Sequence, residues 1–256
     1  MRKERARLAA IERQRLQRKI VRLQALAVWE MYHVEMKPEH RKAWERAGIP
    51  ESLQDYFMLG WTEKDFTFKT SDSSELRTMQ AATIPFYKYG RVVNIQYRLD
   101  GMKNDKYRWT HGLPAPIFRT DKEYPLHGRT LVVEGAKKAQ VMYLHVGHKF
   151  DSICGLPSKN VSQPQLVDFA DCTEIILALD PDTKETGADI LAAKALGLER
   201  TLVASLPAKP DDLIVDYGFS HNQVYAMLES ARPIHTETTQ YDDIRGNRGT
   251  KLGVLV

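Results

Sequence analysis

The sequence predicts an α/β fold: a mostly parallel sheet flanked by helices, preceded by a smaller basic α+β subdomain and an N-terminal basic helix. Three features predict it. From residue 130 onward, short apolar runs alternate four times with helical patterns, the signature of a parallel sheet with right-handed crossovers. Between residues 82 and 110 the character changes to short strand-like runs that break at Tyr89-Gly90 and Asp100-Gly101, as antiparallel strands joined by tight turns do. Residues 1–35 hold neither glycine nor proline, and Leu16, Ile20, Leu23 and Ala27 recur at helical spacing. The chain therefore divides into a basic helical arm (1–35), a basic α+β subdomain (36–126), an α/β domain (127–234) and a mobile tail (235–256).

In the arm, Arg2, Lys3, Arg5, Arg7, Arg13, Arg15, Arg18, Lys19 and Arg22 outnumber the acids. Such a helix either meets nucleic-acid phosphates or docks as an amphipathic helix on the body or a partner. Glu4 and Glu12 interrupt it as a targeting peptide, and no continuous apolar core marks it for export. Past Pro38, helices are expected at 42–47 and 52–59, the second capped by Ser52 after Pro50. Residues 67–83 are polar, with Ser71-Asp72-Ser73-Ser74, and read as a surface loop.

Strands are expected at 82–87, 91–99 and 107–110. Alternation puts Gln96 and Arg98 on one face, with Ile95 and Tyr97 on the other. Lys88, Arg91, Arg98, Lys103, Lys106 and Arg108 are interleaved with Tyr97, Tyr107 and Trp109. Positive side chains among stacking surfaces suit a single-stranded nucleic acid. The alternative reading is a solvated sheet face with ordinary strand aromatics.

The α/β domain then runs as strand 130–133 and helix Ala136–Val146, strand 150–154 and helix 163–170, strand 174–179 and helix 187–196, strand 201–205 and helix 222–231. Beyond Pro233 periodicity is lost. Gly246 to Lys251 lacks the G-x-x-x-x-G-K-[ST] spacing of a phosphate loop, so a motor ATPase is not read.

Composition narrows the class. A net charge of +4 on 256 residues is no polycation, so the distribution of charge matters more than its total. No run approaches the roughly 18 apolar residues of a membrane span. Cys154 and Cys172 alone build neither a disulfide framework nor a four-ligand zinc site. Buried free thiols in a reducing cytoplasm are expected.

The candidate chemistry lies where strands end. Leu131-Val132-Val133 runs into Glu134-Gly135, and Ile175 to Leu179 runs into Asp180-Pro181-Asp182. In an open α/β sheet the carboxyl ends of strands at a topological switch point form the binding crevice. Glu134, Asp180 and Asp182 would offer oxygen donors there to a hard divalent cation, Mg²⁺ or Mn²⁺. Lys137 and Lys138 would add positive field at the start of the next helix. Without a metal, the same acids read as a helix N-terminal carboxylate and a capped turn.

Glu134-Gly135 after one apolar strand, with Asp180-Pro181-Asp182 after a later one and Gly187 opening the next helix, resembles the Toprim domain of topoisomerases, bacterial-type primases and some nucleases. Upstream, Ile84-Pro85-Phe86, Gly90-Arg91-Val92-Val93, Arg98 and Lys106-Tyr107 resemble the basic subdomain that precedes Toprim in bacterial and phage DNA primases. Leu206-Pro207-Ala208-Lys209-Pro210-Asp211-Asp212 is similar to the segment that closes the Toprim fold in that family. The resemblance covers about residues 40–232.

It implies a DNA primase that makes short RNA primers on single-stranded DNA by Mg²⁺-dependent nucleotidyl transfer during replication. Glu134, Asp180 and Asp182 would be catalytic, and with Asp211 would hold the metal. Arg91, Arg98, Lys106, Tyr107, Lys137 and Lys138 would bind nucleotide or template. The implied partners are the template, nucleoside triphosphates and a replicative helicase on a separate chain, in the cytoplasm of a bacterium or phage-infected host. There are departures. Lys138 stands where the family carries a second acid, only Asp211 or Asp212 stands where two late carboxylates are usual, and no zinc-binding segment precedes the basic subdomain. They keep open a catalytically weak module that binds single-stranded DNA or loads a helicase. A Toprim nuclease fits the upstream segment less well, and a topoisomerase would need a catalytic-tyrosine domain.

Overall fold

The computed structural model describes residues 2–69, 73–102, 106–159 and 161–234; the tail expected at 235–256 lies outside them. Helices α1 (Arg2–Leu26) and α2 (Val28–Val34) are one helical run broken at Ala27, whose φ of 43° is left-handed. That conformation costs an alanine about 1 kcal/mol. The break redirects the chain so that Trp29 and Tyr32 join Leu23 against the same sheet face. Next come α3 (Pro38–Arg46) and α4 (Glu51–Phe57). Pro50, not Ser52, begins α4: its carbonyl accepts from the amides of Leu53 and Gln54 at 2.9 and 3.0 Å, which puts Ser52 inside the first turn.

Strands β1 (Gly60–Lys69), β2 (Ser74–Lys88), β3 (Arg91–Leu99) and β4 (Tyr107–Trp109) form an antiparallel sheet in that order. The described residues of the loop expected at 67–83 instead belong to a long β1–β2 antiparallel pair, in register from Gly60 opposite Thr83 to Lys69 opposite Ser74. Its composition is polar because Ser74–Arg77 are exposed, and cross-strand polar pairs hold it, including Thr78 Oγ1 donating to Asp65 at 2.6 Å. The turn at Tyr89-Gly90 forms as expected, with φ of 51° and 71° at its two residues.

The second sheet comprises β5 (Phe118–Arg119), β6 (His127–Glu134), β7 (Ser152–Leu156), β8 (Asp171–Ala178), β9 (Thr201–Val203) and β10 (Arg232–Pro233). Its order is β10-β9-β8-β6-β7-β5, with β9, β8, β6 and β7 parallel and the two edge strands antiparallel. The helices between them are α5 (Ala136–Val146), α6 (Gln163–Leu166), α7 (Thr183–Thr186), α8 (Ala188–Leu196), α9 (Pro210–Val215) and α10 (His221–Glu229). Strand β7 starts later than expected because residues 147–149 close α5 with a 3-10 turn. The helix expected at 163–170 is α6 followed by a second such turn. Helix α9 was not foreseen, and the edge strand β5 comes from before residue 127.

From β6 the chain steps one way to β7, then back across to β8 on its other side. The crevice of a switch point therefore opens at the carboxyl ends of β6 and β8. One core joins the two sheets: Ile84 and Phe86 of β2 pack with Phe57, Phe118, Leu131 and Met142. Behind the larger sheet, Val132, Ile175 and Leu177 meet Phe169, Ala193 and Leu196. The outer face of the smaller sheet, with Ile95 and Tyr97, is covered by Leu16, Ile20, Leu23 and the α2 aromatics. A buried ion cluster also ties the sheets together. Asp168 Oδ1 accepts a hydrogen bond from Lys88 Nζ at 2.8 Å and lies 2.7 Å from Arg119 Nη2 as an ion contact, and the Arg119 side chain is only 1% exposed. Cys154 and Cys172 are free and buried, as expected. No helix among the described residues is long and apolar enough to cross a membrane.

Candidate active site at the strand tips

Strand β6 ends on Glu134, and the chain turns at Gly135 with φ 84°. The Gly135 amide donates to the Leu156 carbonyl at 2.8 Å. The turn lies so close over β7 that a Cβ on Gly155 would stand 2.3 Å from the Gly135 carbonyl oxygen. Two glycines thus fix the base of Glu134. Past β8, the Asp180 carbonyl accepts from the Thr183 amide at 3.0 Å and its hydroxyl at 2.6 Å, which closes the turn that carries Asp182. Asp180 is buried, Asp182 is exposed, and Asp211 is 2% exposed in the first turn of α9.

Each aspartate faces a lysine. Lys138 Nζ lies 2.8 Å from Asp180 Oδ1 and donates to Oδ2 at 3.0 Å; Lys137 meets Asp211 at 2.6 Å and Lys159 meets Asp182 at 2.6 Å. The expected four-carboxylate ligand set is therefore not ready-made. Among the described residues, no three His, Cys, Asp or Glu side chains stand grouped for a metal, because the aspartates are turned to lysines. The donor chemistry nevertheless fits a hard cation. Glu134 Oε2, Asp180 Oδ1 and Asp211 Oδ1 are buried with no hydrogen-bond donor directed at them. Asp180 Oδ1 touches the Lys138 ammonium as an ion contact, without hydrogen-bond alignment. Buried carboxylate oxygens in that condition carry a standing cost that a cation relieves.

The charges are coupled. Burial, then the field of Asp180, pushes the Glu134 carboxyl above the usual range, against Lys138 and Lys159. The hydrogen bond from Lys159 draws Asp182 down. Burial opposes the charge on Lys138, but its hydrogen bond to Asp180 and the fields of Asp180, Asp211 and Glu134 outweigh it and raise its pKa. Burial pushes Lys106 of the smaller sheet down, and Arg98, Lys209, Lys138 and Lys137 push it further. Lys106, on the cationic ledge of the smaller sheet, therefore lies within electrostatic reach of the lysines at the strand tips.

Register explains the ledge. Arg98 pairs with Ala82 and Tyr107, and Gln96 with Ile84 and Trp109, so these residues share the sheet face turned toward the larger domain. Gln96 and Arg98 thus fall on one face, and Ile95 and Tyr97 on the other. Tyr107 is exposed, with Lys106 Nζ 5.5 Å from its ring centroid. Arg91 is not brought to the crevice. It opens β3 at the hairpin turn, about 23 Å along the strand from Arg98 at the usual rise. Two residues of the crevice were missed from sequence. Lys159 follows the β7 tip, so the strand-end argument could have found it, and Lys209 lies in the closing segment without a role assigned.

No family model matches the chain, and no curated protein does. Solved structures do. The zinc-binding and RNA polymerase domains of Aquifex aeolicus primase superpose with a TM-score of 0.64 at 16% identity, over 81% of this chain and 60% of that one. The RNA polymerase domain of Mycobacterium tuberculosis primase DnaG, solved with double-stranded DNA, gives 0.59 at 15% identity, over 83% and 81% of the two chains. The primase fragment of the bacteriophage T7 primase-helicase gives 0.51 at 13% identity, over 72% of each. The fold is that of a primase catalytic core. The chain spans 60% of the length of the Aquifex primase chain it matches.

Proposed function

We propose that the chain is a DNA primase, a DNA-directed RNA polymerase that makes short RNA primers on single-stranded DNA during replication. The observation that supports this reading is the set of buried carboxylate oxygens on Glu134, Asp180 and Asp211 that no hydrogen-bond donor satisfies, with Lys137 and Lys138 beside two of them. Glu134, Asp180, Asp182 and Asp211 would hold Mg²⁺ or Mn²⁺, which when bound neutralises charge on the reacting phosphate.

The chain's own residues do the rest. Arg98, Lys106 and Lys137 hold the triphosphate or template phosphates, the guanidinium in the fixed bidentate geometry suited to them. The exposed Tyr107 ring offers a stacking surface beside Arg98. Glu134 either shares the metal or takes the proton of the attacking 3′-hydroxyl. The turn at Asp180–Thr183 keeps its carboxylate in place, while Lys137 and Lys159, each about one-third exposed, have room to swing off their aspartates when phosphate arrives.

In this reading the arm (1–35) supports the template, residues 36–126 supply the ledge and 127–234 the chemistry. A replicative helicase on a separate chain and the cytoplasm of a bacterium or infected host complete the setting. The test is template-dependent oligoribonucleotide synthesis with Mg²⁺ or Mn²⁺. Primers are expected from the wild type and not from Asp180→Ala or Glu134→Ala. Single-strand binding without primers under either ion would favour a binding or loading module instead. Template cleavage would favour a nuclease.

A further inference from the structure

The lysines at the strand tips are not alike. Lys137 and Lys159 are about one-third exposed and make single contacts at the rim, whereas the Lys138 side chain is 15% exposed. Its ammonium contacts both oxygens of Asp180, itself 11% exposed, and feels Asp211 and Glu134 as well. Lys138 reaches this point because it lies on the first turn of α5, which starts at the Glu134-Gly135 turn. A side chain packed and bound in this way does not move aside for an ion as a rim lysine does.

We propose that Lys138 is the resident cation of this site: its ammonium fills the inner part of the carboxylate cluster, so the cluster takes one divalent ion fewer than its acids alone would hold. The inference rests on the polymerase reading above and adds to it a residue that sets metal stoichiometry. An incoming divalent ion would then share Asp180 with the ammonium and draw its other protein donors from Glu134, Asp182 and Asp211. A fixed positive charge beside the remaining donors also lowers their affinity for that ion by direct repulsion. The site then depends on the nucleotide's own phosphate oxygens to complete the ion's shell.

The experiment counts Mn²⁺ bound to the full chain without nucleotide, by electron paramagnetic resonance and calorimetry. Wild type is compared with Lys138→Glu and Lys138→Met. The glutamate variant is expected to bind one more Mn²⁺ than wild type. The methionine variant, which keeps the stem and removes the charge, is expected to bind Mn²⁺ about tenfold more tightly or more. Circular dichroism confirms folding, and the methionine variant stands alone should the buried glutamate prevent it. Unchanged stoichiometry and affinity in the folded variants would overturn the proposal. Primer synthesis is read separately: a shifted ion count with no primers from wild type would support the role of Lys138 and overturn only the polymerase reading.

Discussion

Lys138 bridges the two strand tips by holding Asp180: its Nζ lies 2.8 and 3.0 Å from the two carboxylate oxygens, from a helix that starts where Glu134 ends its strand. The contact makes the geometry of β8's tip depend on the first turn of α5. It also means that neither partner can be neutralised without exposing the other.

The first prediction follows from that dependence. Asp180→Asn leaves the Lys138 ammonium buried without its direct partner, which costs about 3 kcal/mol. Lys138→Met in the same chain removes the orphaned charge and is expected to recover much of the loss. Urea denaturation of the two single variants and the double variant measures the coupling. Additive losses would show that the pair is not an energetic unit.

A second buried charge cluster makes a prediction away from the crevice. Asp168 pairs ionically with both Arg119 and Lys88, and it joins β2, β5 and the turn after α6. Asp168→Asn strands a guanidinium that is 1% exposed, so a loss of about 3–5 kcal/mol is expected. Because the cluster ties one sheet to the other, the variant should also bind single-stranded DNA less tightly. Wild-type stability in denaturation would contradict that role for the cluster.

The parallel half of the fold was legible because its strands are continuous apolar runs and its helices carry plain periodicity; α5 matches its expected span, Ala136–Val146. The β1–β2 ribbon was not legible, since its far half is exposed and its Ser74–Arg77 stretch has a loop's composition. Helix α9 is six residues of a proline-led turn, too short for periodicity to register. In the candidate site, Glu134 and Asp180 were expected from the strand ends, and Asp211 from the resemblance of the closing segment. The lysines bonded to them could not be paired from sequence, because Lys159 and Asp182 meet across 23 positions only through the sheet's order. Arg91 was drawn into the candidate set by its motif, and strand length separates it from Arg98.

The third prediction concerns pH. Burial, then the neighbouring His221, lowers the pKa of His145, whose buried Nδ1 has no hydrogen-bond partner. The unfolded chain therefore takes up a proton at His145 first as pH falls, and stability is lost from the ordinary histidine value of 6.5 down through the lowered folded value. His145→Phe sacrifices no hydrogen bond of that atom and keeps a ring against His221, 4.6 Å away in the edge-on arrangement. Its denaturation midpoint should fall less steeply below about pH 6.5. An identical slope would assign the acid sensitivity to other groups.

The last prediction decides between the two readings of the arm. Deleting residues 1–30 would uncover Ile95 and Tyr97 along with any basic surface, because Leu16, Ile20 and Leu23 pack there. Weaker binding after deletion would be ambiguous for that reason. Arg15, Arg18 and Arg22 recur at helical spacing on one face, are exposed, and make no ion pair among the described residues. Replacing these three by glutamine removes the charge and leaves the packed face intact. If the stripe follows the phosphates of a single strand, each phosphate no longer neutralised should flatten the logarithmic salt dependence of binding by about 0.7, or about 2 for all three. Titrating a labelled oligonucleotide at several salt concentrations gives the slope. A slope equal to the wild type's would remove the stripe from the nucleic-acid surface and assign the arm to packing or to a protein partner.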